Sequence, residues 1–161
     1  MQAHVDGLAS RGVDARAFDL PLRKAERAVP VYRERILTAA ETPSRLVISG
    51  QSYGGRVASL LAAEAEPSCA GLICFSYPLH RPGHPDWEAR SSHWPEIDVP
   101  VLFLAGESDP FARIDLLRRA IELRLPSARV VTYPKVGHSL KAVLGDALDH
   151  AAAFVSELEP R

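Results

Sequence analysis

One short segment constrains the fold of this chain more than any other feature. Gly50–Gly55, which reads G-Q-S-Y-G-G, follows a compact apolar run at Arg45–Ser49 and precedes a longer amphipathic run. The order strand, sharp turn, helix is the context in which a G-x-S-x-G sequence raises a serine hydroxyl above the edge of a parallel sheet. Chance would place about 0.05 such matches in a chain of this composition. We therefore interpret Ser52 as a nucleophile, with an idle serine in a glycine-rich turn as the alternative.

The rest of the chain alternates short apolar segments with longer amphipathic ones. Strands are predicted at residues 13–20, 45–49, 70–76, 100–105 and 128–133. Helices are predicted at residues 3–11, 26–40, 55–66, 112–125 and 140–158. Apolar strands separated by helices predict an α/β fold with a mostly parallel sheet covered by helices on both faces. Functional groups in such sheets lie at the carboxyl ends of the strands.

Length and composition predict a single domain. The chain has 161 residues, of which 47% are hydrophobic, enough to build one core. Residues 77–99, rich in proline, histidine and tryptophan, are expected to form an irregular loop near the active site. We therefore expect one domain over residues 1–161.

Charge and targeting signals narrow the possible partners. The formal net charge of −1 gives no electrostatic reason to expect a nucleic acid or an anionic membrane surface. No apolar stretch approaches the roughly 18 residues that a membrane span needs. The amino terminus lacks the order of a signal peptide, and a strand would hold Cys69 and Cys74 too far apart for a disulfide. We expect a cytoplasmic protein without a cofactor or metal, for which a homodimer is one option.

Two further strand ends supply partners for the serine. A serine hydroxyl needs a base, and the base needs an orienting acid. Asp109 follows the predicted strand at 100–105, with Glu107 as a nearby reserve, and His138 follows the strand at 128–133. The chain order Ser52, Asp109, His138 is that of hydrolases with a nucleophile elbow. A turn role for Asp109 and a helix-capping role for His138 are the alternatives.

Other residues are assigned to the surroundings of the nucleophile. The backbone N–H of Tyr53 is the expected oxyanion donor. We expect Tyr77, His80, Trp87 and Trp94 to form a small flap over Ser52 that shapes the acyl pocket, although simple packing explains these residues equally well. The predicted substrate-binding residues are Tyr77, His80, Trp94 and Phe111.

Two charged or metal-ligating features are given less weight. His80, His84, His93 and Asp86 lack the spacing of a known zinc site, so no metal is expected. Arg56 could meet a substrate carboxylate, but a surface position is the simpler interpretation.

Several motifs together suggest a family. They are Lys24-Ala25-Glu26-Arg27, the serine elbow at Gly50–Gly55, Tyr77-Pro78-Leu79-His80-Arg81-Pro82-Gly83, Asp109-Pro110-Phe111 and Gly137-His138. With them the chain resembles the α/β-hydrolase superfamily, and more narrowly a small α/β-hydrolase-like family related to dienelactone hydrolases. Dienelactone hydrolases have cysteine at the elbow and dehalogenases have aspartate. The resemblance with serine there implies acyl transfer from a small ester, thioester or related substrate.

The amino-terminal part departs from this pattern. In the resembled fold a further strand lies between those predicted here at 13–20 and 45–49, and its loop gives the second oxyanion donor. We expect that the natural product starts upstream of Met1, that the 13–20 strand shifts inward, or that another chain fills the gap. The leading hypothesis is a serine hydrolase. The alternative is a weak or inactive interaction module with the hydrolase fold.

Overall fold

A parallel four-stranded sheet organises the protein. The computed structural model describes residues 2–39, 46–64 and 69–158. The strands are β1 (Val47–Gln51), β2 (Gly71–Phe75), β3 (Val101–Gly106) and β4 (Arg129–Tyr133), and they lie in the order β1-β2-β3-β4. All three neighbouring pairs are parallel, with Ile48 opposite Leu72 and Leu72 opposite Val101. The predicted parallel α/β architecture is confirmed.

Helices connect the strands and cover the sheet. They are α1 (Gln2–Ala9), α2 (Ala25–Ala39), α3 (Tyr53–Ala62), α4 (Glu88–Ser91), α5 (Ile114–Arg124) and α6 (Leu144–Leu158). Two 3₁₀ turns, Trp94–Glu96 and Lys141–Val143, interrupt the loops before β3 and α6. No helix among the described residues is both long enough and apolar enough to cross a membrane.

The core lies on both faces of the sheet. Every residue of β3 is buried, and the two-residue period of a strand sends successive side chains to opposite faces. Val101 and Phe103 join α2, α3 and α5 in one cluster, whereas Leu102 and Leu104 pack with α6 in the other. This is why the strand is a continuous apolar run rather than an alternating one.

The strand predicted at residues 13–20 is wrong. These residues carry no regular secondary structure, and within the described chain β1 is the edge strand of the sheet. A strand is stable only where its backbone groups find a neighbour. At this edge a side chain satisfies the backbone groups of Ser49. The Tyr32 hydroxyl accepts from the Ser49 N–H at 3.1 Å and donates to the Ser49 carbonyl at 2.6 Å.

Element ends differ from the predictions by a few residues. The helix after the serine begins at Tyr53, two residues earlier than predicted, and β1 extends to Gln51. Residues 77–99 are less irregular than expected, because they include α4 and the first 3₁₀ turn. Ala40, Arg45 and Glu66, three predicted element ends, lie outside the described residues.

Candidate active site

Ser52 occupies a strained turn between β1 and α3. Its backbone has φ 50° and ψ −116°, a conformation that residues with a side chain rarely adopt. The turn is held from both sides, since the Ser52 N–H donates to the Phe75 carbonyl at 2.8 Å and the Ser52 carbonyl accepts from the Arg56 N–H at 3.1 Å. The strain expected of a nucleophile elbow is therefore present.

Close backbone contact explains two of the elbow glycines. A Cβ at Gly50 would lie 2.2 Å from the carbonyl carbon of Gly54, and a Cβ at Gly55 would lie 2.8 Å from the Gly50 oxygen. A Cβ at Gly54 would meet nothing within 4 Å. The close packing of the elbow therefore excludes a side chain at Gly50 and at Gly55, whereas Gly54, the second glycine of G-x-S-x-G, has room for one.

The structure brings Ser52, His138 and Asp109 into one hydrogen-bonded row. Ser52 Oγ lies 2.7 Å from His138 Nε2, and His138 Nδ1 lies 2.7 Å from Asp109 Oδ2. The Asp109 side chain is fully buried, whereas the His138 side chain is 25% exposed. A neutral imidazole that donates from Nδ1 to the carboxylate presents Nε2 as an acceptor to the serine hydroxyl.

Backbone contacts place the acid and the histidine side by side. Asp109 follows β3 in a tight turn, and its second carboxylate oxygen accepts from the Phe111 N–H at 2.8 Å. The Ser108 N–H donates to the Val136 carbonyl at 2.9 Å, which joins this turn to the loop that carries His138. A Cβ at Gly106 would lie 2.3 Å from that same carbonyl oxygen, so the two loops approach as closely as glycine permits.

Glu107, the reserve acid, points elsewhere. It accepts from Thr132 Oγ1 at 2.8 Å and lies 3.7 Å from Arg118. Of the two carboxylates that follow β3, Asp109 is therefore the one that meets the histidine.

The start of α3 favours negative charge near Ser52. Tyr53 is the first residue of the helix, and the N–H groups of a first helical turn have no carbonyl partner within their own helix. The helix dipole places partial positive charge at this end. The Tyr53 hydroxyl donates to the Pro21 carbonyl at 2.9 Å and so ties the elbow to the segment before α2.

An apolar groove opens beside the nucleophile. We call it the Ser52 groove; it encloses about 1250 Å³ between α1, residues 12–20, α2 and the free edge of β1. Its apolar walls include Phe18, Leu20 and Ile36, and Ser52 and Tyr53 lie at its end. Small-molecule sites in proteins are commonly concave and mostly apolar, with a few polar groups, as this groove is.

The residues predicted to bind substrate fall into two groups. Phe111 lies at the triad, with its ring centroid 4.6 Å from that of His138. Tyr77, Trp94 and His80 are 1%, 0% and 3% exposed, and none of them lines the Ser52 groove. Tyr77 and Trp94 pack against each other with ring centroids 5.3 Å apart, as the packing alternative describes.

His80 has a role that the sequence did not indicate. The backbone N–H of His80 donates to the Phe111 carbonyl at 2.9 Å, and its ring Nε2 accepts from the backbone N–H of Arg113 at 2.9 Å. It therefore anchors the loop that carries Asp109.

Gln51 also makes a contact between distant segments. Its side-chain amide donates to the Ser139 carbonyl at 3.4 Å. Both contacts join segments far apart in the chain, so local sequence carries no signal for them.

The remaining polar candidates lie away from the groove. Among the described residues no group of three or more histidine, cysteine or carboxylate side chains is placed to hold a metal ion. Arg56 turns toward α2 and pairs with Glu26 at 2.7 Å. Cys69 and Cys74 are free buried thiols, and burial raises the pKa of Cys69 to about 11.

Comparison with known proteins gives a family. Residues 1–156 match the family model described as an alpha/beta hydrolase domain. A putative carboxymethylenebutenolidase from Salmonella typhimurium is 31% identical over 106 residues, which cover 61% of this chain and 37% of that protein. The corresponding protein of Escherichia coli is 28% identical over the same shares. The chain thus spans less than half the length of these curated relatives.

Solved structures share the fold. A monoacylglycerol lipase from Paleococcus ferrophilus superposes with a TM-score of 0.80 at 15% identity, over 97% of this chain and 88% of the other. A dienelactone hydrolase from Anabaena variabilis superposes with a TM-score of 0.66 at 18% identity, over 83% of this chain and 61% of the other.

Proposed function

Because this chain belongs to the alpha/beta hydrolase family, we propose that it is a serine hydrolase that cleaves a small ester, thioester or related acyl substrate. One observation carries the proposal: the row from Ser52 through His138 to buried Asp109, with both contacts at 2.7 Å, at a strained elbow. A serine on a relaxed turn, or a histidine without an acid, would not support it.

The chemistry follows from this row of atoms. Ser52 Oγ attacks the carbonyl carbon while His138 Nε2 takes its proton, and Asp109 stabilises the imidazolium through Nδ1. The negative charge that develops on the carbonyl oxygen is stabilised by the Tyr53 N–H and the amino-terminal end of α3. His138 then returns the proton to the departing alcohol or thiol. A water molecule, activated by the same histidine, attacks the acyl-enzyme and releases the acid and free Ser52.

The substrate class rests on the Ser52 groove and on the names of the relatives. Phe18, Leu20 and Ile36 give the groove apolar walls that suit the hydrocarbon part of an acyl group. The charged lining residues Asp14, Arg16, Asp19 and Arg35 carry two charges of each sign, so they favour neither an acidic nor a basic substrate. The names dienelactone hydrolase and monoacylglycerol lipase both refer to carboxylic esters. Small neutral esters are accordingly the first substrates to assay.

A second candidate is a hydrolase-fold interaction module with weak or no turnover. It is favoured by the outer edge of β1, which runs along the groove beside Ser52 and pairs with no strand among residues 2–39, 46–64 and 69–158. In the resembled fold the loop after a strand at this edge gives the second oxyanion donor. Removal of one such donor lowers the turnover number by a factor of about 10²–10³ in enzymes of this chemistry.

Labelling with a fluorophosphonate probe separates the two candidates. The hydrolase proposal expects stoichiometric labelling of the wild-type protein, no labelling of Ser52→Ala, and very slow labelling of His138→Ala. Ser92→Ala is the matched control, because Ser92 is exposed and its hydroxyl contacts only the Ala89 carbonyl, at 3.3 Å. Equal labelling of wild-type and Ser52→Ala protein, or none of either, would contradict the proposal.

A further inference from the structure

A second cavity lies between α3 and the segment that contains α4. It has a volume of about 420 Å³ and shares no lining residue with the Ser52 groove. Three of its lining side chains are guanidinium groups. The residues that line it are Arg56, Arg81, His84, Asp86, Ala89 and Arg90. We call it the arginine cavity.

Arg90 is fixed in this cavity by contacts to the backbone. Its Nη1 donates to the Pro78 carbonyl at 2.7 Å and lies 3.4 Å from the His80 carbonyl. The Arg90 carbonyl in turn accepts from the Tyr77 hydroxyl at 2.6 Å. These partners are neutral, so they orient the guanidinium without cancelling its charge. An oriented guanidinium loses little further freedom when it binds an anion.

Arg56 approaches the cavity from α3. Its side chain is 19% exposed, and its Nη2 donates to Glu26 at 2.7 Å on one side. A guanidinium has five N–H donors in a planar fork, so a single carboxylate contact leaves several of them available.

Arg81 and His84 reach the cavity from one tight turn. The two residues form an isolated antiparallel bridge, and the His84 N–H donates to the Arg81 carbonyl at 3.0 Å. Gly83 completes the turn with φ +75°, a conformation that glycine adopts without strain. The turn is exposed, so a substitution at Arg81 changes the cavity wall without altering the core.

The cations of the cavity outnumber the nearby carboxylates. Asp86 is in the wall and Glu26 pairs with Arg56, against three arginines. Burial, and next the charge of Arg56, lower the pKa of Arg90, as expected for like charges held close together. A bound anion would relieve this repulsion.

We propose that the arginine cavity binds a small phosphate-bearing molecule. A carboxylate has two oxygens and is matched by one guanidinium fork, whereas a phosphate group presents three or more acceptors and up to two negative charges, which suits a cavity lined by three arginines. The volume is within the range of small-molecule sites and exceeds the needs of a single ion. The site is independent of the triad and of the proposed hydrolase activity.

Isothermal titration calorimetry with inorganic phosphate, at constant ionic strength, tests the site. We expect saturable one-to-one binding to the wild-type protein and at least tenfold weaker binding to Arg81→Gln and to Arg56→Gln. Arg113→Gln is the matched control and should bind like wild type, because Arg113 is exposed and pairs with Asp115 outside the cavity. Circular dichroism verifies that each variant is folded.

Three results would overturn the proposal. They are heat that does not saturate in the wild-type protein, equal phosphate binding by wild type and both cavity variants, or acetate binding as tight as phosphate binding. Because Ser52 lies outside the arginine cavity, loss of probe labelling in Ser52→Ala has no bearing on this test.

Discussion

Two serine–histidine pairs, whose serines lie seven residues apart along the chain, have nearly the same oxygen–nitrogen distance. Ser52 Oγ lies 2.7 Å from His138 Nε2 at the mouth of the Ser52 groove. Ser59 Oγ lies 2.8 Å from His93 Nε2 inside the protein, about two helical turns further along α3. The distance alone would describe either pair as an activated nucleophile.

Their surroundings separate them. The Ser59 side chain is fully buried, and its hydroxyl already donates to the Arg56 carbonyl at 2.9 Å, so it accepts from His93 rather than giving it a proton. Among the described residues no carboxylate hydrogen-bonds the other ring nitrogen of His93, whereas Asp109 lies 2.7 Å from Nδ1 of His138. Access, an uncommitted hydroxyl proton and an orienting acid are what distinguish a candidate nucleophile from a packing contact.

The largest effect is expected from removal of the acid, which only the Ser52–His138 pair possesses. In Asp109→Asn the amide can no longer hold His138 in the tautomer that accepts from Ser52, so we expect fluorophosphonate labelling to slow by about 10³–10⁴-fold. The measurement is the second-order labelling rate constant. Glu107→Gln is the control, since Glu107 contacts Thr132 and Arg118 instead. Equal slowing in both variants would mean that the structure assigns the acid incorrectly.

The row of Ser52, His138 and Asp109 could be predicted from sequence because each member lies in a loop that follows a strand. The three loops follow β1, β3 and β4 at the carboxyl edge of a parallel sheet, and local patterns reveal strand ends. The Ser59–His93 contact joins residues 34 positions apart, and nothing local signals it.

Pairing and burial limited the rest of the prediction. Apolar and polar side chains alternate along residues 13–20 as they do in a strand, but a strand also needs a paired neighbour. The Tyr32 hydroxyl instead hydrogen-bonds the Ser49 backbone at the edge of β1. Tyr77 and Trp94 lie in a proline-rich segment that resembles an exposed loop, yet both rings are buried against Phe103. Composition alone does not distinguish a loop over a site from a segment folded into the core.

The next effect concerns the close backbone packing that holds the strained turn at Ser52, a turn that helical Ser59 does not need. Gly55→Ala would place a Cβ 2.8 Å from the Gly50 carbonyl oxygen, and a backbone atom cannot move aside cheaply. We expect a loss of about 3 kcal/mol in the free energy of unfolding, measured by chemical denaturation.

Gly54→Ala is the matched control for that close contact. It introduces the same methyl group into open space, within helix α3. We expect it to leave stability unchanged or to raise it by about 0.5–1 kcal/mol, because alanine is the better helix former. Similar losses in the two variants would show that the loss in Gly55→Ala does not come from its close contact with Gly50.

A third prediction uses the burial of His93. Desolvation, aided by the charge of Arg56 and opposed by that of Glu26, lowers the pKa of His93 to about 4. The unfolded state, in which an ordinary histidine has a pKa near 6.5, therefore binds more protons between about pH 6.5 and pH 4. Stability falls as pH falls through this window and levels off below it. Since part of the ring is exposed, we expect a loss on the order of 2 kcal/mol.

Denaturation of wild type and His93→Gln at several pH values measures this contribution. The variant lacks the titrating ring and should lose less stability between pH 7 and pH 4.5. Parallel pH profiles for the two proteins would show that His93 is solvated in the native state, and the contrast with His138 would then rest on the carboxylate alone.

The smallest effect is expected at Ser59 itself. In Ser59→Ala the His93 ring nitrogen loses the hydroxyl that it contacts, and the lost hydrogen bond corresponds to about 1 kcal/mol of stability. Fluorophosphonate labelling should proceed at the wild-type rate, because Ser52, His138 and Asp109 contact none of these groups. A labelling rate reduced more than tenfold in a variant that is still folded would mean that the two pairs are coupled through α3. The buried pair would then support the candidate nucleophile, and the distinction between catalytic and packing histidines drawn from access and proton commitment would fail for this protein.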